Sequence, residues 1–328
     1  MKEIKNILIT GSNGQLGKCL KDAIQNTEGR KKQEKISPRH SALDAESQEI
    51  AGQARNDEEV SGEAGRGSLY HKNFFFTDIE DLDITDISAV STFVHKNRIN
   101  CIINTAAYTA VDKAESEPDK AFDINEDGVW HLAHVCGEQN AFLIHISTDY
   151  VFDGSATKPY KTNARTNPVS IYGQSKLGGE KAIFFEQIPS VIIRTSWLYS
   201  KYGHNFMNTM LRLGKEKEEI YVVDDQYGAP TNAHDLAAAI LQIVHQTDKI
   251  NKPTIYHYAN EGVTTWHGFA REIMKIAKLP CSVHPITTAE YPTPAARPAY
   301  SVFDLSKIKK QFNLQIPNWT ESLQRELL

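Results

Sequence analysis

The feature that most constrains the fold lies near the start of the chain. Ile4 to Thr10 is an apolar run of strand length, and Gly11-Ser-Asn-Gly14-Gln-Leu-Gly17 follows it without a gap. Glycines at the first, fourth and seventh positions permit a tight turn, close backbone approach to a phosphate, and close packing of the next helix. That helix then aims its free N–H groups at a pyrophosphate. A glycine-rich turn alone would need neither the strand before it nor the helix after it. The expectation is therefore the first β-α unit of a dinucleotide-binding domain.

Such a unit should lead quickly into a second strand, but residues 29–68 interrupt the pattern. They are rich in Glu, Arg, Ser, Gly and Ala, with little apolar periodicity and no aromatic residue. They are expected to form a mobile polar insertion, since surface loops tolerate added chain cheaply; a lid or partner-binding arm is the alternative. Asn73-Phe-Phe-Phe-Thr-Asp78 resumes the fold as the second strand. Asp78 is placed to reach an adenosine ribose, and Leu82-Asp83-Ile84-Thr85-Asp86 forms an adenine-side loop. The insertion leaves the register open here, so NADH and NADPH both remain candidates.

Three further strands complete the alternation: Cys101-Ile-Ile-Asn104, Ala141-Phe-Leu-Ile-His-Ile146 and Val191-Ile-Ile-Arg-Thr195. A helix over about Pro118 to Gln139 carries Asn125 near its middle. Five strand–helix alternations predict a doubly wound parallel sheet of Rossmann type, an α/β fold whose ligands lie beyond the carboxyl ends of the strands. Gly11, Ala106, Thr148 and Thr195 all fall at such ends. At the same edge stands Ser147-Thr148-Asp149-Tyr150, and Tyr172 opens a helix with Lys176 one turn on. An ammonium near a phenol favours phenolate, lowering a pKa that starts near about 10, and Thr148 can add a hydrogen bond. With 13 tyrosines in the chain such a spacing also arises by chance. The convergence on one crevice gives it weight.

The formal charge of −5 offers no basic surface to hold nucleic acid. Cys19, Cys101, Cys136 and Cys281 are far apart, with no C-x-x-C pair, and read as reduced thiols. No stretch approaches 18 apolar residues, so a membrane span and secretion are not expected, and a cytoplasmic location is. Past Trp197 the alternation weakens. Helices near Asn205–Lys215 and His234–His245, a strand at Ile220–Val223, and the proline-stiffened loop Tyr291-Pro-Thr-Pro-Ala-Ala-Arg297-Pro298 suggest a smaller α/β substrate domain. The expected division is residues 1–28 and 69–200 for the dinucleotide domain and 201–328 mainly for the substrate domain.

Several stretches are more specific than the fold. Asn104-Thr-Ala-Ala-Tyr-Thr-Ala-Val-Asp-Lys-Ala-Glu-Ser-Glu-Pro118, Ser147-Thr-Asp-Tyr-Val-Phe152, Arg194-Thr-Ser-Trp197, Asp225-Gln-Tyr-Gly-Ala-Pro-Thr231 and the Tyr291–Pro298 loop together resemble the dTDP-4-dehydrorhamnose reductases. The first glycine spacing is similar to that of the extended short-chain dehydrogenases to which they belong. The resemblance implies reduction of the 4-keto group of a dTDP-linked sugar by NADPH or NADH, in nucleotide-sugar and cell-surface polysaccharide biosynthesis such as that of O-antigen. It implies Tyr172 as proton donor, Lys176 on the nicotinamide ribose, and Thr148 in the place of the usual serine. Gly11, Asn13, Gly14, Gln15, Leu16, Gly17, Asp83, Ile84, Ala106, Ala107 and Tyr108 would line the dinucleotide. Val111, Asp149, Tyr150 and Trp197 would shape the sugar pocket, with Arg297 facing the diphosphate.

Two departures stand out. The insertion has no counterpart in the family core. Some relatives dimerise around Mg²⁺ held by glutamates, and the matching positions here are Cys19 and His234, so no Mg²⁺ site is expected; monomer and homodimer both stay open. Two other readings are a nucleotide-sugar epimerase or dehydratase and a non-catalytic dinucleotide-binding regulatory subunit. A dehydratase would want Asp-Glu after Thr148, whereas Asp149-Tyr150 stands there. Replacing residues 29–68 by a short linker is expected to leave folding and reduction largely intact, checked by solubility and turnover; insoluble protein would show that the segment packs on the domain.

Overall fold

The computed structural model describes residues 3–36 and 72–328. Strand β1 (Asn6–Thr10) enters the glycine turn and then helix α1 (Gln15–Ile36). The helical backbone thus continues past Gly29, where the insertion was expected to begin, and the rest of that segment lies outside the described residues. There follow β2 (Asn73–Phe76), α2 (Ile87–Lys96), β3 (Cys101–Asn104), α3 (Val111–Ala114) and α4 (Pro118–Phe122). A π-helical turn, Asp123–Asp127, joins α4 to α5 (Gly128–Gln139), so the expected long helix is present with one widened turn. Then come β4 (Phe142–Thr148), α6 (Ile171–Glu186) and β5 (Ser190–Thr195).

The carboxyl-terminal part contains β6 (Leu198–Tyr199), α7 (Phe206–Glu216), β7 (Glu219–Val223), β8 (Tyr227–Gly228) and β9 (Thr231–Asn232). It continues with α8 (Ala233–Val244), β10 (Pro253–Tyr258), β11 (Thr264–Thr265), α9 (Trp266–Ile276) and β12 (Ser282–Ile286). Helices α10 (Ser306–Phe312) and α11 (Trp319–Leu327) end it.

The main sheet runs β10-β5-β4-β3-β1-β2, with every pair parallel. Strand order reverses where β1 neighbours both β2 and β3, which puts the ligand crevice above their carboxyl ends. Such a sheet is covered on both faces, so its strands read as near-continuous apolar runs. One face buries Ile7, Ile9, Ile103, Ile144 and Ile193 against Leu20 of α1 and Leu236, Ile240 and Ile243 of α8. The other buries Leu8, Ile102, Leu143 and Ile192 against Val90 and Val94 of α2, Leu132 of α5 and Ile183 of α6.

Segment 201–328 does not stand apart as one unit. Its β10 pairs with β5 in register Tyr258↔Thr195, and α8 packs on α1. The sixth strand of the dinucleotide sheet therefore comes from beyond the expected division. The remaining pieces surround a smaller core of Met207, Met210, Ile220, Phe269, Ile273, Trp319 and Leu323. Here β7 pairs in parallel with β12.

Local signals set the element that matters most. Ser170 caps α6, its hydroxyl accepting from Gly173 N at 3.2 Å, and Gln187 ends the helix in the left-handed region. The helix is tied to the sheet by a buried ion pair: Arg194 Nε and Nη2 donate to Glu180 at 2.8 and 2.6 Å, and Ser147 Oγ donates to the same carboxylate at 2.5 Å. Their side chains are only 3% and 2% exposed, so either charge alone would be stranded. Replacing Arg194 by Met is expected to cost about 3–5 kcal/mol of unfolding free energy, measured by urea titration, because Glu180 loses its bidentate partner. A change below ~1 kcal/mol would show that the pair does not anchor the helix.

Candidate active site

Lys176 is buried yet cationic in character, and the sheet supplies its partners. Its Nζ donates to Ile146 O at 2.7 Å and lies 3.4 Å from His145 Nε2. His145 stands in β4, where its Nδ1 meets Asn104 Nδ2 at 3.1 Å. Asn104 Oδ1 in turn accepts from Thr10 Oγ1 at 2.7 Å and from Ala106 N at 3.1 Å. A chain of polar contacts thus crosses three adjacent strands, through the register pairs Thr10↔Asn104 and Asn104↔His145, and ends at the lysine. Burial pulls the lysine down to about 8, opposed by Glu180, and holds the His145 ring neutral, well below the usual imidazole range. The sequence carried a signal for both strand residues: a polar side chain inside each apolar run.

Tyr172 sits one turn before Lys176 and is likewise buried. Burial pushes its phenol up to about 12, while a hydrogen bond with Thr148 pulls the other way. The expected lowering by Lys176 does not appear. The ammonium is turned to Ile146 O and His145, and burial sets the phenol instead. The phenol therefore keeps its proton at neutral pH, as a proton donor must. Thr148 Oγ1 donates to Asp149 Oδ1 at 3.0 Å, and burial raises that carboxyl to about 6. Tyr150 meets Tyr172 edge to face, with ring centroids 5.4 Å apart.

The glycine turn adjoins this corner. Gly11 has φ +65°, and a Cβ there would lie 2.6 Å from Ala106 Cα, so only glycine lets the first turn approach the strand beyond it. Asn13 N donates to Asp78 Oδ2 at 2.8 Å, which places the acid ending the second strand against the same turn. Asp83 Oδ1 accepts from Thr85 N and Oγ1, and Ile84 O faces His131 Nδ1, fixing the loop that starts α2. Tyr108 is held by a buried asparagine: its N–H donates to Asn125 Oδ1 at 2.9 Å, and its carbonyl accepts from Asn125 Nδ2 at 3.0 Å. Asn125 Nδ2 also donates to Ser175 Oγ on α6. The π-helical turn that carries Asn125 thus locks the Ala106–Tyr108 loop to the Tyr172 helix, a role that sequence spacing does not reveal.

One cleft of about 360 Å³ gathers Gln15, Leu16, Ala107, Val111, Thr148, Asp149, Tyr150, Tyr172, Lys176 and Trp197 on its walls. Gly11, Asn13, Gly14, Gly17, Asp83, Ile84, Ala106 and Tyr108 are not among its lining; they shape the turn and loops beside it. Phe206 and Trp266 also line the cleft, and both were missed as site residues because they come from remote helix starts. Both are shared with a neighbouring apolar groove of about 590 Å³, which Arg297 and Tyr291 border. Arg297 is engaged: its Nη1 and Nη2 donate to the Asp112 carboxylate at 2.9 and 2.7 Å, pinning the proline loop to α3. A larger groove of about 860 Å³, rimmed by Lys158, Lys161, Lys309 and Lys310, holds none of the expected site residues.

The donor set at Cys19 and His234 does not fit Mg²⁺, which prefers oxygen ligands. His234 instead bridges two carboxylates, Nδ1 at 3.0 Å from Glu326 Oε2 and Nε2 at 3.1 Å from Asp22 Oδ2. Hydrogen bonds with Cys19 and Glu326 raise its imidazole to about 10, so the ring itself supplies a cation there. Among the described residues no helix is long and apolar enough to cross a membrane.

Comparison with known proteins agrees with this geometry. The model of the RmlD substrate binding domain family matches residues 5–327. A dTDP-4-dehydrorhamnose reductase of Sinorhizobium fredii is 40% identical over 280 residues, covering 81% of this chain and 95% of that protein. One from Escherichia coli K12 is 40% identical over 254 residues, 75% of this chain and 84% of that protein. The crystal structure of a dTDP-4-dehydrorhamnose reductase from Bacillus anthracis in complex with NADP superposes with a TM-score of 0.81 at 36% identity, covering 98% of each chain. The structure of a dTDP-glucose 4,6-dehydratase from the same organism shares the fold, with a TM-score of 0.70 at 14% identity. Together, the match along nearly the whole chain and the extended short-chain dehydrogenase architecture place this protein in the dTDP-4-dehydrorhamnose reductase family.

Proposed function

We propose that this protein reduces the 4-keto group of dTDP-4-dehydro-L-rhamnose to give dTDP-L-rhamnose, with NADPH or NADH as reductant, as an oxidoreductase of the class acting on CH–OH groups. The observation that carries the reading is the meeting of Thr148, Tyr172 and Lys176 on the wall of one cleft beside the glycine turn. A reduced nicotinamide supplies the hydride when bound. The residues that would hold it are those of the turn, with Gln15, Leu16, Ala107 and Lys176 at the cleft.

Each side chain then has a task set by its surroundings. Tyr172, protonated because it is buried, gives its proton to the C4 oxygen as charge develops there. Thr148, whose hydroxyl donates to Asp149, would turn that proton to the C4 oxygen, a bond that strengthens with the charge. Lys176, steadied by Ile146 O, presents a positive charge to the same corner. Asp149 offers an acceptor for a sugar hydroxyl, and Tyr150, Val111 and Trp197 bound the hexose. The apolar groove beyond Phe206 and Trp266 would take the nucleotide part, with Arg297 at its rim near the diphosphate. Cytoplasmic location fits a nucleotide-sugar enzyme of this kind.

The test is oxidation of NADPH and of NADH with dTDP-4-dehydrorhamnose generated in situ. Tyr172→Phe is expected to lose roughly 10²–10⁴-fold in turnover while keeping cofactor affinity, since the ring stays and the proton donor goes. Near-normal turnover in that variant would sink the assignment. The pH profile gives a second check. Lys176 loses its charge as pH rises through about 8, so kcat/KM is expected to fall on that side. The residual activity of Lys176→Arg should lack this limb, because guanidinium stays charged; a limb that persists would belong to another group.

A further inference from the structure

Trp197 carries a backbone conformation that needs explaining. Its φ is +49°, in the left-handed region that a bulky aromatic residue seldom adopts, and such strain persists only where surrounding structure enforces it. The enforcing contact is a second indole. Trp197 and Trp266 stack with ring centroids 3.7 Å apart and planes 13° from parallel. Gly228 clears the other approach, since a Cβ there would lie 2.6 Å from Trp197 Cε2. The Trp197 carbonyl also accepts from Thr231 N at 3.1 Å.

Trp266 is itself fixed from several sides. It is the first residue of α9, whose cap Thr265 accepts from Gly268 N at 3.0 Å. Its Nε1 donates to Gln226 Oε1 at 3.1 Å, and Gln226 Nε2 donates to Thr288 Oγ1 at 3.0 Å. Phe206 packs on it at 4.6 Å. Trp266 lines both the cleft with Tyr172 and the apolar groove, whereas Trp197 lines the cleft alone.

We propose that Trp266 is a positioning and specificity-determining residue: it holds Trp197 in place as the hexose-side wall and forms, with Phe206, the sill between cleft and groove over which a nucleotide sugar must lie. This rests on the function proposed above. The dTDP-sugar has two halves joined by a diphosphate, and the two cavities meet at this sill. Trp197 lines the cleft that holds Tyr172, and its placement relative to Tyr172 depends on the indole stacked against it.

The test compares wild type with Trp266→Ala, Trp266→Phe and Trp197→Phe. Trp266→Ala is expected to raise KM for the dTDP-sugar about tenfold or more, with a smaller change in kcat and with NADPH affinity kept. Trp266→Phe should recover much of that loss, because it keeps a stacking face. Two stacked indoles couple their transitions, so wild type should show an exciton couplet in circular dichroism that both Phe variants lose. Binding of dTDP alone, followed by calorimetry, should weaken in Trp266→Ala. An unchanged KM in Trp266→Ala, or a Phe variant no better than Ala, would overturn the proposal. If wild type binds dTDP but does not reduce the dTDP-sugar, the functional reading fails; the couplet and the dTDP titration still decide the role of Trp266. NADPH affinity and thermal unfolding exclude misfolding, and Trp266→Phe carries the test if the Ala variant is insoluble.

Discussion

The burial of ionisable side chains on one face of α6 governs the rest of this molecule. Tyr172, Lys176 and Glu180 follow one another at four-residue spacing, so a single helical stripe enters the sheet with a phenol, an ammonium and a carboxylate. Isolated charges in such a place would cost several kcal/mol each. Each has a specific partner instead: Ile146 O for the lysine, and Arg194 with Ser147 for the glutamate. The partners come from β4 and β5, so the electrostatic requirement fixes the helix against the strands that carry Thr148 and Thr195.

The close approach of α6 on its other side is a steric matter. A Cβ at Gly179 would lie 2.2 Å from Asn125 O, so glycine allows the π-helical turn to press against the helix. Contact at that distance lets Asn125 reach both Ser175 and the backbone of Tyr108. The Ala106–Tyr108 loop and the helix that carries Tyr172 are therefore joined through Asn125. Catalysis by positioned groups depends on such ties, because proton transfer falls off with small displacements.

Electrostatics divides the site into groups that keep protons and groups that share them. Burial keeps Tyr172 protonated, whereas Lys176 and Asp149, drawn to about 8 and about 6, both shift toward neutrality. The neutral His145 ring contributes no charge beside the lysine, and Asn104 fixes its orientation. Beside Cys19 and Asp22 of α1 the opposite shift operates: His234 gains charge through its hydrogen bonds with Cys19, Glu326 and Asp22. One chain thus lowers Lys176 and His145 by burial and raises His234 by hydrogen bonding.

The sequence by itself determined the parallel sheet, the glycine turn and the Thr148, Tyr172 and Lys176 group, because each depends on local order. Apolar runs specify strands, glycines specify the turn, and a four-residue spacing specifies a shared helix face. It also carried the family resemblance, in stretches such as Asp225–Thr231 whose residues lie near one another along the chain. Only the tertiary structure decided that β10, more than fifty residues beyond β5, completes the sheet, since pairing partners of parallel strands leave no mark in local sequence. It alone joined Asn125 to Tyr108, Asn104 to His145, and Trp266 to Trp197. It also turned Lys176 toward Ile146 and away from the expected control of the Tyr172 phenol. These contacts form between residues 17 to 69 positions apart, and desolvation, which sets the charge of each group, exists only once the surrounding layers have closed over it.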